Sequence, residues 1–156
     1  MFEKCVGLLA ERGVQISDIV ECVEYLQKGY DQSTPEMVYD AVVSVLKKRE
    51  VQHVIITGVF LDRATEQGII DDADLQRILV QDYSLYGVDE VLAYGICNLY
   101  GSIALTNFGY IDKDKPLIIK QLNEKHEGIC NTFLDDIVGA IAASAASRIA
   151  HGDRPL

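Results

Sequence analysis

Residues Thr132 to His151 read TFLDDIVGAIAASAASRIAH. Two adjacent carboxylates, Asp135 and Asp136, open the stretch. From Ile137 to Ala150 its only polar residues are Ser144, Ser147 and Arg148. Thr132 is placed to cap a helix by accepting the backbone N–H of Asp135. Asp135 stands where the reciprocal partner of a capping box belongs, although Glu or Gln is the usual choice there. The alanine content gives high helix propensity, and the small side chains leave no broad charged face. A helix apolar on nearly every side is buried, in a bundle or in a membrane. This run is too short and too interrupted for a membrane span. The stretch is therefore expected to be a central helix onto which others pack closely, with an acidic pair at its N-terminal end.

The rest of the chain supplies those others. Residues 2–12 read as a short helix with Cys5, Val6, Leu8 and Leu9 inward and Gly13 as its stop. Ser17 is placed to cap a helix from Asp18 to Gln27, whose Ile19, Cys22, Val23 and Leu26 keep helical spacing. GYDQS is a loop. Thr34-Pro35-Glu36 combines a cap, a first-turn proline and an acid at the positive end of the dipole. It starts a helix carrying Met37, Val38, Ala41, Val42, Val45 and Leu46, which ends at the solvated Lys47-Lys48-Arg49. In residues 50–67, VIITGVF alone looks like a buried strand. Its flanks place Val51, Val54, Ile55, Gly58, Val59 and Asp62 on one helical face, with Gly68 as terminator, so a helix is expected. Asp71-Asp72-Ala73-Asp74 opens another short helix. SLYG is a turn, and from Val88-Asp89-Glu90 one long helix is expected through VLAYGICNLYGSIALTNFG, with Gly95 and Gly101 at close helix contacts. YIDKDKP reads as a loop, followed by a helix from Leu117 to Asn123 and the polar loop EKHEG. The expected fold is all-α: a compact bundle of about six to eight helices around a buried central helix, in one domain spanning residues 1–156.

Composition narrows the function. Of 156 residues, 49% are hydrophobic and 24% charged, as in an ordinary soluble globular protein. The formal net charge of -10 argues against nucleic acid as a partner and against simple docking on anionic lipid. A divalent cation would still allow phosphorylated compounds to bind. Cys5, Cys22, Cys97 and Cys130 show no zinc spacing, and no secretory signal opens the chain, so a reduced, cytoplasmic protein is expected.

Three acidic clusters mark the second half: Asp89-Glu90, Asp112 with Asp114, and Asp135-Asp136. Two sit at helix starts and the third in the loop beside Lys115. They read either as caps and dipole partners or as carboxylates converging on a hard cation such as Mg²⁺. Other signals fail. No Cys precedes Arg by the spacing of a thiol-phosphatase loop, and there is no GxSxG or Walker loop. Asp112-Lys113-Asp114-Lys115-Pro116 lacks the final Thr or Val of a haloacid-dehalogenase motif. Glu21 and Glu24 form an ExxE with no matching ExxD. His53, His126 and His151 are scattered, and Tyr94 and Tyr100 read as core.

The clusters in combination resemble a known family. Phe108-x3-Asp112-x2-Lys115-Pro116-x2-Ile119, then fifteen residues, then Asp135-Asp136-Ile137-Val138, is similar to the phosphatidylglycerophosphatase A family, with Asp89-Glu90 in the place of that family's upstream Asp-Glu. The whole chain is closer still to the soluble, YutG-like branch from firmicute bacteria, where LYGVDE, YGSIALTNFGY and FLDDIVGAIAA recur nearly as they stand. The resemblance implies a helical bundle and Mg²⁺-dependent removal of the terminal phosphate of phosphatidylglycerophosphate. Carried onto this chain, it implies Mg²⁺ held by Asp89, Glu90, Asp112, Asp135 and Asp136 or a subset. Asp89, Glu90, Asp136 and Lys115 would do the chemistry, one carboxylate that is not a ligand acting as base and Lys115 steadying the phosphate. The departures are the absence of the membrane members' glycine-rich N-terminal segment, Gly109 where they carry Arg, and Ile118 where they carry a second Pro. Arg63 or Arg148 could replace the missing arginine. Two other functions stay open: hydrolysis of a soluble phosphorylated metabolite or nucleotide, and a non-catalytic scaffold. Apolar helix stripes point to a homo-oligomer, and lipid access would be peripheral, at the inner membrane face.

Overall fold

In the computed structural model, which describes residues 1–30 and 33–152, the opening stretch forms helix α9 (Leu134–His151). Every residue from Leu134 to Ser147 is buried. Six helices surround it: α2 (Ile16–Leu26), α3 (Pro35–Leu46), α4 (Arg49–Glu66), α6 (Val88–Cys97), α7 (Ser102–Asp114) and α8 (Leu117–Asn123). Helix α1 (Phe2–Glu11) lies outside, on α3 and α4, and α5 (Ala73–Gln81) lies on α4. The described residues thus form nine helices and no strand, one more than the expected upper number.

The alanines of α9 explain the arrangement. A helix sheathed in small side chains lets its neighbours approach on every side, and they fill the space with larger groups. Around Gly139 these are Phe108 and Ile111 of α7 and Ile119 of α8. Leu134, Ile137, Val138 and Ile141 are wholly buried, each contributing about 1.5–3 kcal/mol relative to exposure. Ser147 stays in the core because its hydroxyl donates to the Tyr100 carbonyl at 2.8 Å.

Helix α4 settles the ambiguous VIITGVF in favour of helix. Val51, Ile55, Gly58, Val59 and Asp62 are buried at helical spacing, while Thr57 and Phe60 face outward. Thr34 caps α3 as expected, accepting from Met37 N at 3.2 Å, although Met37 itself is exposed. Helix α2 starts two residues earlier than expected, capped by a Gln15–Asp18 box and not by Ser17. In the segment GYDQS, Asp31 and Gln32 lie outside the described residues.

The expected long helix from Val88 is two. Gly101, at φ +85 and ψ −167, breaks it, in a backbone region that only glycine occupies readily. Neither Gly95 nor Gly101 makes a close contact: a Cβ at either would meet nothing. The segment YIDKDKP is not a loop, because α7 continues to Asp114 and ends with Lys115 in the left-handed conformation, φ +47. Pro116 then forbids continuation. This shift places Asp112 and Lys115 one turn apart at a helix end.

Candidate functional site

The start of α9 is not built as the sequence suggests. Thr132 does not cap it: its hydroxyl donates to the Leu79 carbonyl at 2.8 Å. Helix α9 has no cap from its own N-terminal side chain. The carboxylate of Asp62, from α4, accepts from Phe133 N and Leu134 N, both at 3.1 Å. Asp135, released from any capping box, points elsewhere.

It points to Lys115. The Lys115 Nζ donates to Asp112 Oδ1 at 2.6 Å, Asp135 Oδ2 at 2.8 Å and Asp136 Oδ1 at 3.3 Å. The side chains of Asp135 and Asp136 are 5% exposed, against 26% for Lys115. Burial raises both carboxyls above the usual carboxylate range. Lys115 pulls them down, while neighbouring acids push them further up. Burial works against the Lys115 ammonium too, but Asp135, Asp112 and Asp136 outweigh it and keep it charged. One ammonium therefore serves three carboxylates, which leaves the cluster short of positive charge.

Asp89 and Glu90 occupy the first turn of α6. Burial raises Asp89, and the charges of Asp82 and Glu90 add to the rise. Its Oδ1 is buried without a hydrogen-bond partner. The sequence reading missed Asp82, the left-handed C-cap of α5 at φ +49. Burial raises its carboxyl, with Lys115 and Lys125 opposing the rise and Asp112 adding to it. Asp82 thus links the α6 acids to the Lys115 cluster. Tyr94, whose ring meets Phe108 edge-on at 5.4 Å, lies in the combined field of Glu90, Asp112 and Asp136. Among the described residues, the non-glycine residues with positive φ are Asp82, Leu85, Lys115 and Leu117. All four stand in the two segments that flank these acids, and such strain persists where surrounding structure imposes it.

Other expected participants lie elsewhere. Asp114 accepts from the Tyr25 hydroxyl, away from Asp112. Arg63 pairs with Glu11. Arg148 sits in the last turn of α9, 13 residues from Asp135, which is about 20 Å along a helix. Neither arginine takes the place at the acidic cluster suggested for it. Glu21, Glu24 and the three histidines are exposed. The four cysteines are free and buried. Burial pushes the Cys22 and Cys97 thiols up to about 12, so they are no nucleophiles.

The segment leading into α9 is held by residues that no motif announces. Arg12 donates to both Glu66 carboxylate oxygens, at 3.0 and 2.6 Å, to Cys130 O at 2.6 Å and to Asn131 Oδ1 at 2.9 Å. Glu66 also accepts from Cys130 N at 2.8 Å. Only the helical phase of Asp62, on the buried face of α4, was visible in the sequence.

The donor set suits a hard cation: every candidate atom is a carboxylate oxygen, and Asp89 Oδ1 is buried and unpartnered. As the side chains stand, no three His, Cys, Asp or Glu among the described residues form a ready metal cage. Asp112, Asp135 and Asp136 turn onto the ammonium instead.

Comparison with known proteins places this geometry in context. The sequence model described as PgpA, Phosphatidylglycerophosphatase A, matches residues 7–151. The chain is 54% identical over 158 residues to "Uncharacterized protein YutG" of Bacillus subtilis (strain 168), covering 99% of this chain and 93% of that protein. A solved structure from Bacillus stearothermophilus, of a protein of unknown function, superposes with a TM-score of 0.92 at 53% identity, covering 97% and 94% of the two chains. The low temperature requirement C protein of Listeria monocytogenes superposes with a TM-score of 0.92 at 51% identity, covering 96% and 94%.

Proposed function

The chain belongs to the phosphatidylglycerophosphatase A family, and from that premise we propose that it is a Mg²⁺-dependent phosphatase acting on the terminal phosphate of phosphatidylglycerophosphate. The observation that carries the reading is the Lys115 ammonium bonded at once to Asp112, Asp135 and Asp136. Residues from the family's two separate sequence blocks meet there, partly buried, at one point.

Asp89, Glu90, Asp112, Asp135 and Asp136 would hold the ion. When bound, Mg²⁺ supplies charge neutralisation for the phosphate and acidifies a water. As the carboxylates that Lys115 now bonds turn to the ion, its N–H donors would be freed to orient the phosphate. Burial and the neighbouring Asp135 raise Asp136 to about 9, so before the ion binds this carboxyl holds a proton at neutral pH, which binding would release. The water oxygen bonds to phosphorus, the P–O bond to glycerol breaks, and the glycerol oxygen takes a proton. The products are phosphatidylglycerol and inorganic phosphate.

The reading carries its access and assembly with it. No helix among the described residues is long and apolar enough to cross a membrane. Leu85, 99% exposed between Asp82 and Asp89, supports peripheral contact with lipid from the cytoplasmic side. Val88, Val91 and Tyr94 are exposed on α6 and Leu99 just past its end, and this uncharged stripe supports pairing with a second copy.

Phosphate release from phosphatidylglycerophosphate and from soluble phosphate esters, with Mg²⁺ or chelator, tests the reading. Mg²⁺-dependent release from the lipid is expected. Faster turnover of a soluble ester replaces the lipid substrate, and no release from either removes the enzyme.

A further inference from the structure

We infer that Asp62 is the positioning residue of this site, fixing the backbone from which Asp135 and Asp136 project. The inference rests on the reading that these two aspartates are the working acids.

A helix begins with N–H groups that have no partner within the helix. Most helices satisfy them with a neighbouring side chain or with water. At α9 neither is at hand: Thr132 is committed to Leu79 O, and Thr132, Phe133 and Leu134 are at most 3% exposed. Asp62 supplies what is missing from another helix, one oxygen to Phe133 N and the other to Leu134 N. A bidentate acceptor fixes direction as well as distance, and the next residue is Asp135.

Helix α4 is shaped to deliver it. Gly58, one turn before Asp62, faces the first turn of α9. A Cβ there would lie 2.2 Å from Ile137 Cδ1 and 3.3 Å from Phe133 Cβ. The missing side chain lets α4 press against α9 where Asp62 must reach it. Asp62 is held in turn: the Cys130 thiol meets Oδ1 at 3.6 Å, and although burial raises its carboxyl, the Phe133 N–H and the nearby Arg12 oppose that rise. The first turn of α9 is thus gripped twice. Asp62 holds its backbone, and Lys115 holds its carboxylates. Without Asp62 the acids keep their ion pair, but the helix end carrying them has two buried donors unmatched.

Asp62→Ala and Asp62→Asn in the full chain test this with two readouts. Amide hydrogen exchange at residues 133–136 should speed by about tenfold or more in Asp62→Ala, the factor for one lost hydrogen bond of ordinary net strength. The amides of Ala142–Ser147 should be unchanged. For Mg²⁺-dependent phosphate release, kcat should fall by about 10- to 100-fold with KM within about twofold, as for displaced but intact catalytic groups. Asp62→Asn keeps one acceptor and should recover part of both losses. Exchange that rises evenly along α9, or not at all, overturns the inference. So does local exchange with kcat intact. Local exchange in a chain whose wild type releases no phosphate leaves Asp62 as the anchor of α9 and removes the phosphatase instead. Should Asp62→Ala not fold, Asp62→Ser, with a single hydroxyl acceptor, carries the same comparison.

Discussion

Replacing Lys115 by Met isolates the electrostatics of the site, because methionine keeps an unbranched side chain of similar reach and removes only the ammonium. Three bonds vanish, at 2.6, 2.8 and 3.3 Å. The carboxylates of Asp135 and Asp136, 5% exposed, cannot exchange the lost partner for water. Breaking a buried ion pair from one side costs about 3–5 kcal/mol. Lys115 and Asp112 are about a quarter exposed, at 26% and 27%, which places the loss at the lower end, about 3 kcal/mol. For a chain of this size that is roughly 6–12 °C in Tm. The loss depends on pH. Both aspartates already stand above the usual range through burial, and the substitution raises them further. A carboxyl whose folded pKa exceeds its unfolded value binds its proton more tightly in the folded chain. Its stabilising effect is complete below the unfolded pKa and is lost as pH rises through the folded one. The penalty should therefore be slight near about pH 5 and larger near about pH 8, still growing as pH rises through the Asp136 carboxyl at about 9, and Mg²⁺ should reduce it at the higher pH. Urea unfolding of both proteins at the two pH values measures it. An equal loss at both, or a variant as stable as the wild type at the higher pH, would refute the view that Lys115 balances buried charge.

Two further outcomes are expected. Gly101→Ala should destabilise the chain by about 1–3 kcal/mol, since φ +85 with ψ −167 is a backbone conformation that alanine adopts only with strain; unchanged urea unfolding would show that the break between α6 and α7 relaxes freely. Light scattering should find an assembly in solution that Val91→Glu, on the exposed stripe of α6, dissolves. A wild type that is monomeric at micromolar concentration contradicts the pairing.

Much of the architecture was legible because α9 is extreme: an alanine-rich helix with no charged face has only the interior to occupy. Helix α4 was legible once periodicity was weighed over the whole segment and not over VIITGVF alone. The break at Gly101 was not, because no proline marks it and the apolar pattern runs through. Nor was the extension of α7 to Asp114, where Asp-Lys-Asp-Lys suggests a loop although such residues sit well in a solvated last turn. The acids and Lys115 could be named from their spacing and the family they resemble. Their mutual arrangement depends on Lys115 in a left-handed cap, a conformation that lysine's identity does not announce. Asp82 is set by the same kind of cap, and a polar residue just past a helix end was the one signal for it. Asp62 and the Arg12–Glu66 pair escape local reading because their hydrogen-bond partners lie 54 or more residues away along the chain.

The central claim is that the acids gathered around Lys115 do the chemistry. Its most direct test is phosphate release from phosphatidylglycerophosphate by the wild type, Asp136→Asn and Asp89→Asn, each with Mg²⁺ and with chelator. The account predicts release by the wild type that chelator abolishes, and a fall of about 100-fold or more in kcat for each variant. Wild-type rates in both variants would contradict it.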